Sequence, residues 1–349
     1  MKRDSRFRIA VIPGDGIGPE IVESCLHVLE VLRDRLGGIG FDFRQLEGGA
    51  GHYQKAGAAF SMESMAECKK ADAVLFGAIG LPDVRYPDGT EIATQFDLRF
   101  EMDLYAGLRP IRSYPSLPRV LTDKRAVRID LVLVREQTEG LLYSHRRGTI
   151  DDDDVAWETM RISREGSRRV AEFAFRLAER RAKTRRRPGK VTCVDKANVL
   201  SSMAFFRKVF GEVAASHPAV SAEYAYVDAT AMKLVKAPWD FDVLLTENAF
   251  GGILSDLSAG VVGGLGLAPS ADIGERHAVF QPAHGSAPDI AGKGVANPIA
   301  QILSAALMLD WLADQHSEPR LAHGARILEH AVDKALTVVC PIELGGQDG

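Results

Sequence analysis

Short apolar runs rich in β-branched residues recur along this chain, and longer amphipathic stretches separate them. "RIAVIPG", "ADAVLFGAIG", "IDLVLVRE", "KVTCVDK" and "FDVLLTEN" read as strands buried on both faces. "PEIVESCLHVLEVLRDRL", "SRRVAEFAFRLAERR" and "ANPIAQILSAALMLDWLADQ" place apolar side chains at helical spacing, with Pro19 suited to a first helical turn. Near-continuous apolar strands alternating with helices predict an α/β architecture around a largely buried sheet. With 349 residues, 46% of them hydrophobic, the chain can fill one large domain or two intertwined ones. No internal repeat is visible.

Charge and composition exclude several classes. A net charge of −4 offers no whole-chain attraction to nucleic acid. No run of about 18 apolar residues exists to span a membrane. The start "MKRDSRFRIAVIPGDG" passes from basic residues straight into a strand, without the apolar stretch of a signal peptide. Cys25, Cys68, Cys193 and Cys340 lie far apart and read as reduced core thiols. The expectation is a soluble, cytoplasmic protein without nucleic-acid or membrane partners. Two charge runs read as solvated surface: "ERRAKTRRRPGK" (179–190) as a helix end, and "IDDDDVAWE" (150–158) as a turn leading into a helix.

Several segments carry possible chemistry. "VIPGDGIGPEI" suggests a dinucleotide fingerprint, but its glycines at 14, 16 and 18 have the wrong spacing. Its physical content is a glycine turn that allows close approach of backbone to a ligand. Arg99, Arg109 and Arg135 fall within one short region; guanidinium groups grip carboxylates through paired hydrogen bonds, and surface ion pairs are the alternative use. Asp195, Lys196 and Asn198 follow a strand, where a lysine beside an acid serves either proton exchange or a structural ion pair. Asp228 lies in an apolar sequence context that makes an unpaired carboxylate costly. In "FQPAHGSAPDIAGKGVANP", small residues let backbone wrap a flat ligand, and Asp289 can accept from two ribose hydroxyls while repelling a 2′-phosphate, which favours NAD over NADP.

In order, "IPGDGIGPE", "LRP", "VRE", "DKAN", "YVDA", "ILSD" and "HGSAPDIAGKGVANP" make the chain similar to the β-decarboxylating dehydrogenases. That family includes 3-isopropylmalate, isocitrate, homoisocitrate, tartrate and D-malate dehydrogenases. "GAIGLPDVRYPDG" resembles the tartrate and malate branch more than the "GGPKW" type. The resemblance implies an isopropylmalate dehydrogenase-like two-domain α/β fold, distinct from the Rossmann fold. One domain would combine 1–108 with 262–349; the other, 109–261, would hold the substrate and metal residues and a dimer-clasping arm near 143–165. The implied reaction is oxidation of a substituted D-malate at C2 by NAD, with loss of the β-carboxylate as CO2 and a divalent cation, Mg2+ or Mn2+, at the C2 oxygen. Arg99, Arg109 and Arg135 would clamp carboxylates, and Lys196 would relay the hydroxyl proton. Asp228 would reach the metal from the partner subunit of a homodimer. His284, Gly285, Ser286, Ala287, Asp289, Ile290 and Asn297 would line the adenosine site, with Asn198 near the nicotinamide.

Departures from the family pattern matter as much. In "ENAFGGILSD" the family places two aspartates at i and i+4, one helix face apart; here Asp256 survives and the first is Gly252. The metal set becomes Asp228 and Asp256; Glu247, five residues upstream of Gly252, is a candidate substitute whose position directs it elsewhere. Two accounts follow: an active enzyme with a weakened metal site, or a catalytically silent relative that keeps ligand recognition. The tyrosine expected to protonate the product falls on Leu142, with Tyr143 next to it as the substitute. Gln281 stands where a glutamate is common, and "IELGGQDG" stops where relatives continue. Thr94, Gln95 and Phe96, just ahead of Arg99, would present a mixed surface to the substrate's C3 group, which suits a small polar substituent slightly better than an alkyl one.

Overall fold

A computed structural model describes residues 5–348. These form two compact units. The first comprises the chain through Leu104, Tyr114–Pro118 and the residues from Gly263 onward; the second comprises Tyr105–Ser113 and Arg119–Val262.

In the first unit the strands run in the order Ile39–Gln45, Ser5–Gly14, Ala73–Ala78, Ala278–Pro282 and Pro269–Ile273. Pairing is parallel except for the last two, which are antiparallel. Ile9, Val11 and Ile12 on the first strand and Val74 and Leu75 on the third are fully buried, as continuous apolar runs require. Helix Gly18–Leu36 buries Ile21, Val22, Cys25, Leu29 and Leu32 along one stripe, with Pro19 in its first turn. Helix Ile299–His316 is buried around most of its circumference, and Pro319–Ala335 packs alongside it.

The second unit has the strand order Ala106–Arg112, Asp130–Glu136, Val243–Thr246, Gly189–Asp195 and Val220–Tyr226. Only the first pair is antiparallel. Helix Arg164–Arg185 covers these strands with Val170, Ala174 and Phe175, and Phe210 of helix Ser201–Ala214 lies 5.2 Å from Phe175, ring to ring.

The charge runs are a helix end and an exposed turn as expected, but each departs from the expectation in one respect. Arg181 and Arg185, inside the basic run, reach back to Asp130 and Asp242; Arg181 meets Asp242 at 2.9 Å. These arginines tie the helix end to the loops at two strand starts, and are not solvated. The acidic run forms a hairpin, Thr149–Asp151 with Val155–Trp157, and leads into no helix. Asp152 and Asp153 take left-handed conformations at its tip, which aspartate tolerates better than most residues. The helix starts only at Arg164, capped by Ser163. Cys25, Cys68 and Cys193 are buried free thiols as expected, whereas Cys340 is half-buried. Among the described residues no helix is long and apolar enough to cross a membrane.

The glycine turn after the first strand approaches its own chain and not an open ligand cradle. A Cβ on Gly14 would lie 2.0 Å from the Ala78 carbonyl oxygen, and one on Gly16 would lie 2.0 Å from that of Ser286. Gly57 has a similar φ, +73° against +80° at Gly14, but faces open space. Gly57→Ala should therefore cost about 1 kcal/mol, the left-handed penalty alone, and Gly14→Ala roughly 3 kcal/mol or more, because backbone must move. Urea unfolding of the two variants measures the difference; equal costs would contradict the packing account.

Candidate active site

The second unit gathers a guanidinium pair. Arg109 stands opposite Leu133 in the antiparallel ladder, and Arg135 is two residues beyond Leu133. Opposed residues share a sheet face and so do residues two apart, so Arg109 and Arg135 are diagonal neighbours on one face, about 7–8 Å apart. Arg109 is 5% exposed. Arg135 donates from Nε to the Asn248 carbonyl (2.6 Å) and from Nη2 to Asn248 Oδ1 (2.8 Å). The Asn248 amide in turn donates to the Glu136 carbonyl and to Gln137 Oε1. Asn248 therefore orients Arg135, a role not assigned from the sequence, although it stands in the quoted "TEN" segment.

Asn248 opens helix Asn248–Gly260, near whose start lie the adjacent glycines Gly251 and Gly252. A Cβ on Gly251 would meet Arg135 Cγ at 2.5 Å, so the arginine stem requires that glycine. A Cβ on Gly252 would lie 3.3 Å from Arg135 Nη2, tighter than ordinary contact, so the guanidinium end must give by a few tenths of an ångström. Asp256 is exposed one turn later, accepting from Ser255 Oγ at 3.2 Å. Glu247 is fully buried and caps the helix, accepting from Phe250 N at 2.7 Å. It is not oriented to replace the missing carboxylate. Among the described residues of this chain no three His, Cys, Asp or Glu side chains converge as a metal-binding group.

Lys196 Nζ lies 2.8 Å from Asp228 Oδ1. Asp228 is two-thirds exposed at the start of helix Val227–Lys236, contrary to the apolar setting expected for it. Its carboxyl is held below the usual range, first by the Lys196 hydrogen bond and then by backbone N–H groups of its own helix turn. Asp195 does not partner Lys196. It is fully buried and takes Arg207 through two bonds, of 2.7 and 2.9 Å, and the Ala197 N–H. Asn198 is exposed in the following turn. Tyr143 lies in the short turn Leu141–Ser144, its ring flanked by the guanidinium groups of Arg147 (4.4 Å) and Arg161 (5.4 Å); Leu142 beside it is half-buried.

Arg99 belongs to the first unit. Its Nε is bound to the buried Asp272 at 2.7 Å, which leaves the Nη edge for a ligand carboxylate. Gln281 Nε2 donates to the same Asp272 oxygen; a glutamate there would place a second negative charge against it. Five residues before Arg99, Thr94 is fully buried with Oγ1 unpartnered, and Gln95 Oε1 is likewise buried without a partner.

The segment 284–290 forms a compact turn in the same unit. Gly285 has open space where a side chain would be, Ala287 is left-handed (φ +37°), and Ile290 N donates to Ala287 O. His284 Nδ1 donates to the Gly285 carbonyl at 2.8 Å, and its buried Nε2 has no partner. Burial pushes its pKa down, so the ring is neutral at pH 7. Ser286 is buried, Asp289 exposed. Asn297 caps helix Ile299–His316 with Oδ1 and donates to Glu343, so its side chain is already engaged. An orphaned imidazole nitrogen, an open glycine and an exposed carboxylate suit a nucleotide.

Comparison with known proteins places this geometry. The family model "Isocitrate/isopropylmalate dehydrogenase" matches residues 8–341, and the chain belongs to that family of NAD-dependent β-decarboxylating dehydrogenases, which work with a divalent cation. The 3-isopropylmalate dehydrogenase of Thermotoga maritima is 44% identical over 335 residues, covering 94% of this chain and 90% of the relative. The 3-isopropylmalate dehydrogenase of Aquifex aeolicus is 40% identical, covering 95% and 89%. Among solved structures, isocitrate dehydrogenase from Methylococcus capsulatus aligns with a TM-score of 0.83 at 34% identity, over 97% of this chain and 94% of that one. A β-decarboxylating dehydrogenase from Thermococcus kodakarensis, in its apo form, aligns at 0.77 and 38%, over 98% and 92%. The expected fold is thereby established.

One carboxyl at the site has an unusual titration. Burial pushes Glu136 up to about 7, against hydrogen bonds from Thr138 and the Glu139 N–H that favour the anion. The folded chain keeps this proton while the unfolded chain, at the ordinary value of 4.5, has released it. This contribution to stability is therefore complete below about 4.5 and is lost as pH rises to about 7. Thermal unfolding between pH 5 and 8 should show a decline in the wild type that Glu136→Gln lacks; superimposable profiles would contradict it.

Proposed function

We propose that the chain oxidatively decarboxylates a D-malate-type 2-hydroxy acid with a small polar substituent at C3, as a homodimer with shared active sites. The observation that carries this reading is Arg135, fixed by Asn248 on the first turn of the helix that bears Asp256. An anion-binding group on a strand is tied to the first residue of the helix that carries a cation-binding group. Relatives named 3-isopropylmalate dehydrogenases support the substituted-malate class. The buried, unpartnered Thr94 Oγ1 and Gln95 Oε1 favour a polar C3 group over an alkyl one, since apolar contact would leave both unsatisfied.

In this reading Arg109 and Arg135, with Arg99, bind and orient the substrate carboxylates. When bound, NAD supplies the hydride acceptor and the divalent cation supplies positive charge opposite the C2 oxygen. Lys196 accepts the C2 hydroxyl proton, and its partner Asp228 serves the cation site of a second copy together with that copy's Asp256. Tyr143, between two guanidinium groups, delivers the proton that replaces the lost carboxylate. The exposed hairpin Ile150–Trp157 forms the clasp between copies.

Gly252 favours a second reading, a silent relative that binds cofactor and acid without turnover. A carboxylate added there lands beside Arg135 and one turn from Asp256. Gly252→Asp should tighten Mg2+ or Mn2+ binding and, if the cation site limits catalysis, raise turnover on the order of 10²-fold or more. NADH formation on D-malate, tartrate, 3-isopropylmalate and isocitrate, with either cation, decides. No turnover by folded dimeric wild type on any acid defeats the enzyme reading. Wild type as fast as the variant defeats the silent one.

A further inference from the structure

The glycine motif 14–18 finds no ligand role in the reading above, yet it contains a buried carboxylate. Asp15 is 6% exposed and accepts three backbone N–H groups: Ala50 (2.8 Å) and Gly80 (2.9 Å) at Oδ2, and Gly51 (2.8 Å) at Oδ1. Gly49 and Gly51 close around it; a Cβ on Gly49 would lie 2.6 Å from Oδ2. Its own N–H donates to Ala78 O at 2.7 Å. Gly80 carries the chain onward, because its carbonyl accepts from Ser286 Oγ. The Ser286 carbonyl then accepts from Ile17 N at 2.8 Å, two residues from Asp15, and closes the ring.

We propose that Asp15 is a positioning residue for the dinucleotide segment 284–289, acting through Gly80 and Ser286. The proposal rests on the reading of that segment as the NAD site. Ala287, the next residue, holds a left-handed conformation that a non-glycine residue keeps only when its flanks are fixed. Ser286, clamped on both its carbonyl and its hydroxyl, is that fixed flank. A carboxylate is specifically required, since three N–H donors converge on it. The isosteric amide of asparagine would present an N–H to one of them.

Asp15→Asn should weaken NAD binding, measured by isothermal titration, on the order of tenfold, as removal of an orienting partner does elsewhere. Deuterium uptake of the ligand-free variant should rise across 283–290 and stay unchanged in helix 299–316, which general destabilisation would not produce. Asp289→Ala tests the underlying reading. If it weakens NAD binding while Asp15→Asn changes neither affinity nor uptake, the positioning role is overturned and the NAD site stands. If wild type binds no NAD, or Asp289→Ala is without effect, the site reading fails and the proposal with it. Should Asp15→Asn not fold, Ser286→Ala cuts the same ring; unchanged ligand-free uptake across 283–290 then overturns the proposal.

Discussion

A buried carboxylate at or just past the end of a strand is the constraint on which this molecule's working parts depend. Asp15, Glu136, Asp195 and Glu247 each follow or end a strand and are each at most 6% exposed. Each accepts at least one N–H of the loop or helix ahead: Gly80, Glu139, Ala197 and Phe250 respectively. A buried ion without such bonds would cost several kcal/mol. Satisfied, it makes the following segment rigid. Those segments carry Tyr143, Lys196, Gly252 and Asp256, and, through Ser286, the turn 284–290.

Arginine is used on both sides of this economy of charge. Arg207 completes the shell of Asp195, and Arg99 is tied by one edge to Asp272. Arg181 and Arg185 neutralise Asp130 and Asp242 away from the site. Arg135 donates from Nε and Nη2 to an uncharged asparagine, Asn248. A guanidinium oriented by a neutral group is suited to an anionic ligand, whereas one locked in an ion pair serves the fold. Gly252 belongs to the same balance: it removes a carboxylate from beside that guanidinium.

Much of this was legible in the chain. The strands "RIAVIPG", "IDLVLVRE" and "FDVLLTEN" announce themselves by unbroken apolar runs, and the order of motifs from Gly14 to Asn297 identifies the family. The misreadings share one cause. Asp228, the run 179–190 and the run 150–158 were judged by neighbours in sequence, but Lys196, Asp242 and the hairpin ladder are neighbours only in space. Asn248 and Asp15 were passed over because a polar residue at a strand end looks ordinary until its hydrogen bonds are known.

Sequence alone therefore determined the α/β class and the family, because periodicity and the order of motifs are properties of the chain itself. Tertiary structure decided which charges are spent on the fold and which are left to a ligand. That allocation depends on pairings between residues tens to hundreds of positions apart, whose energies exist only when burial has removed water from them.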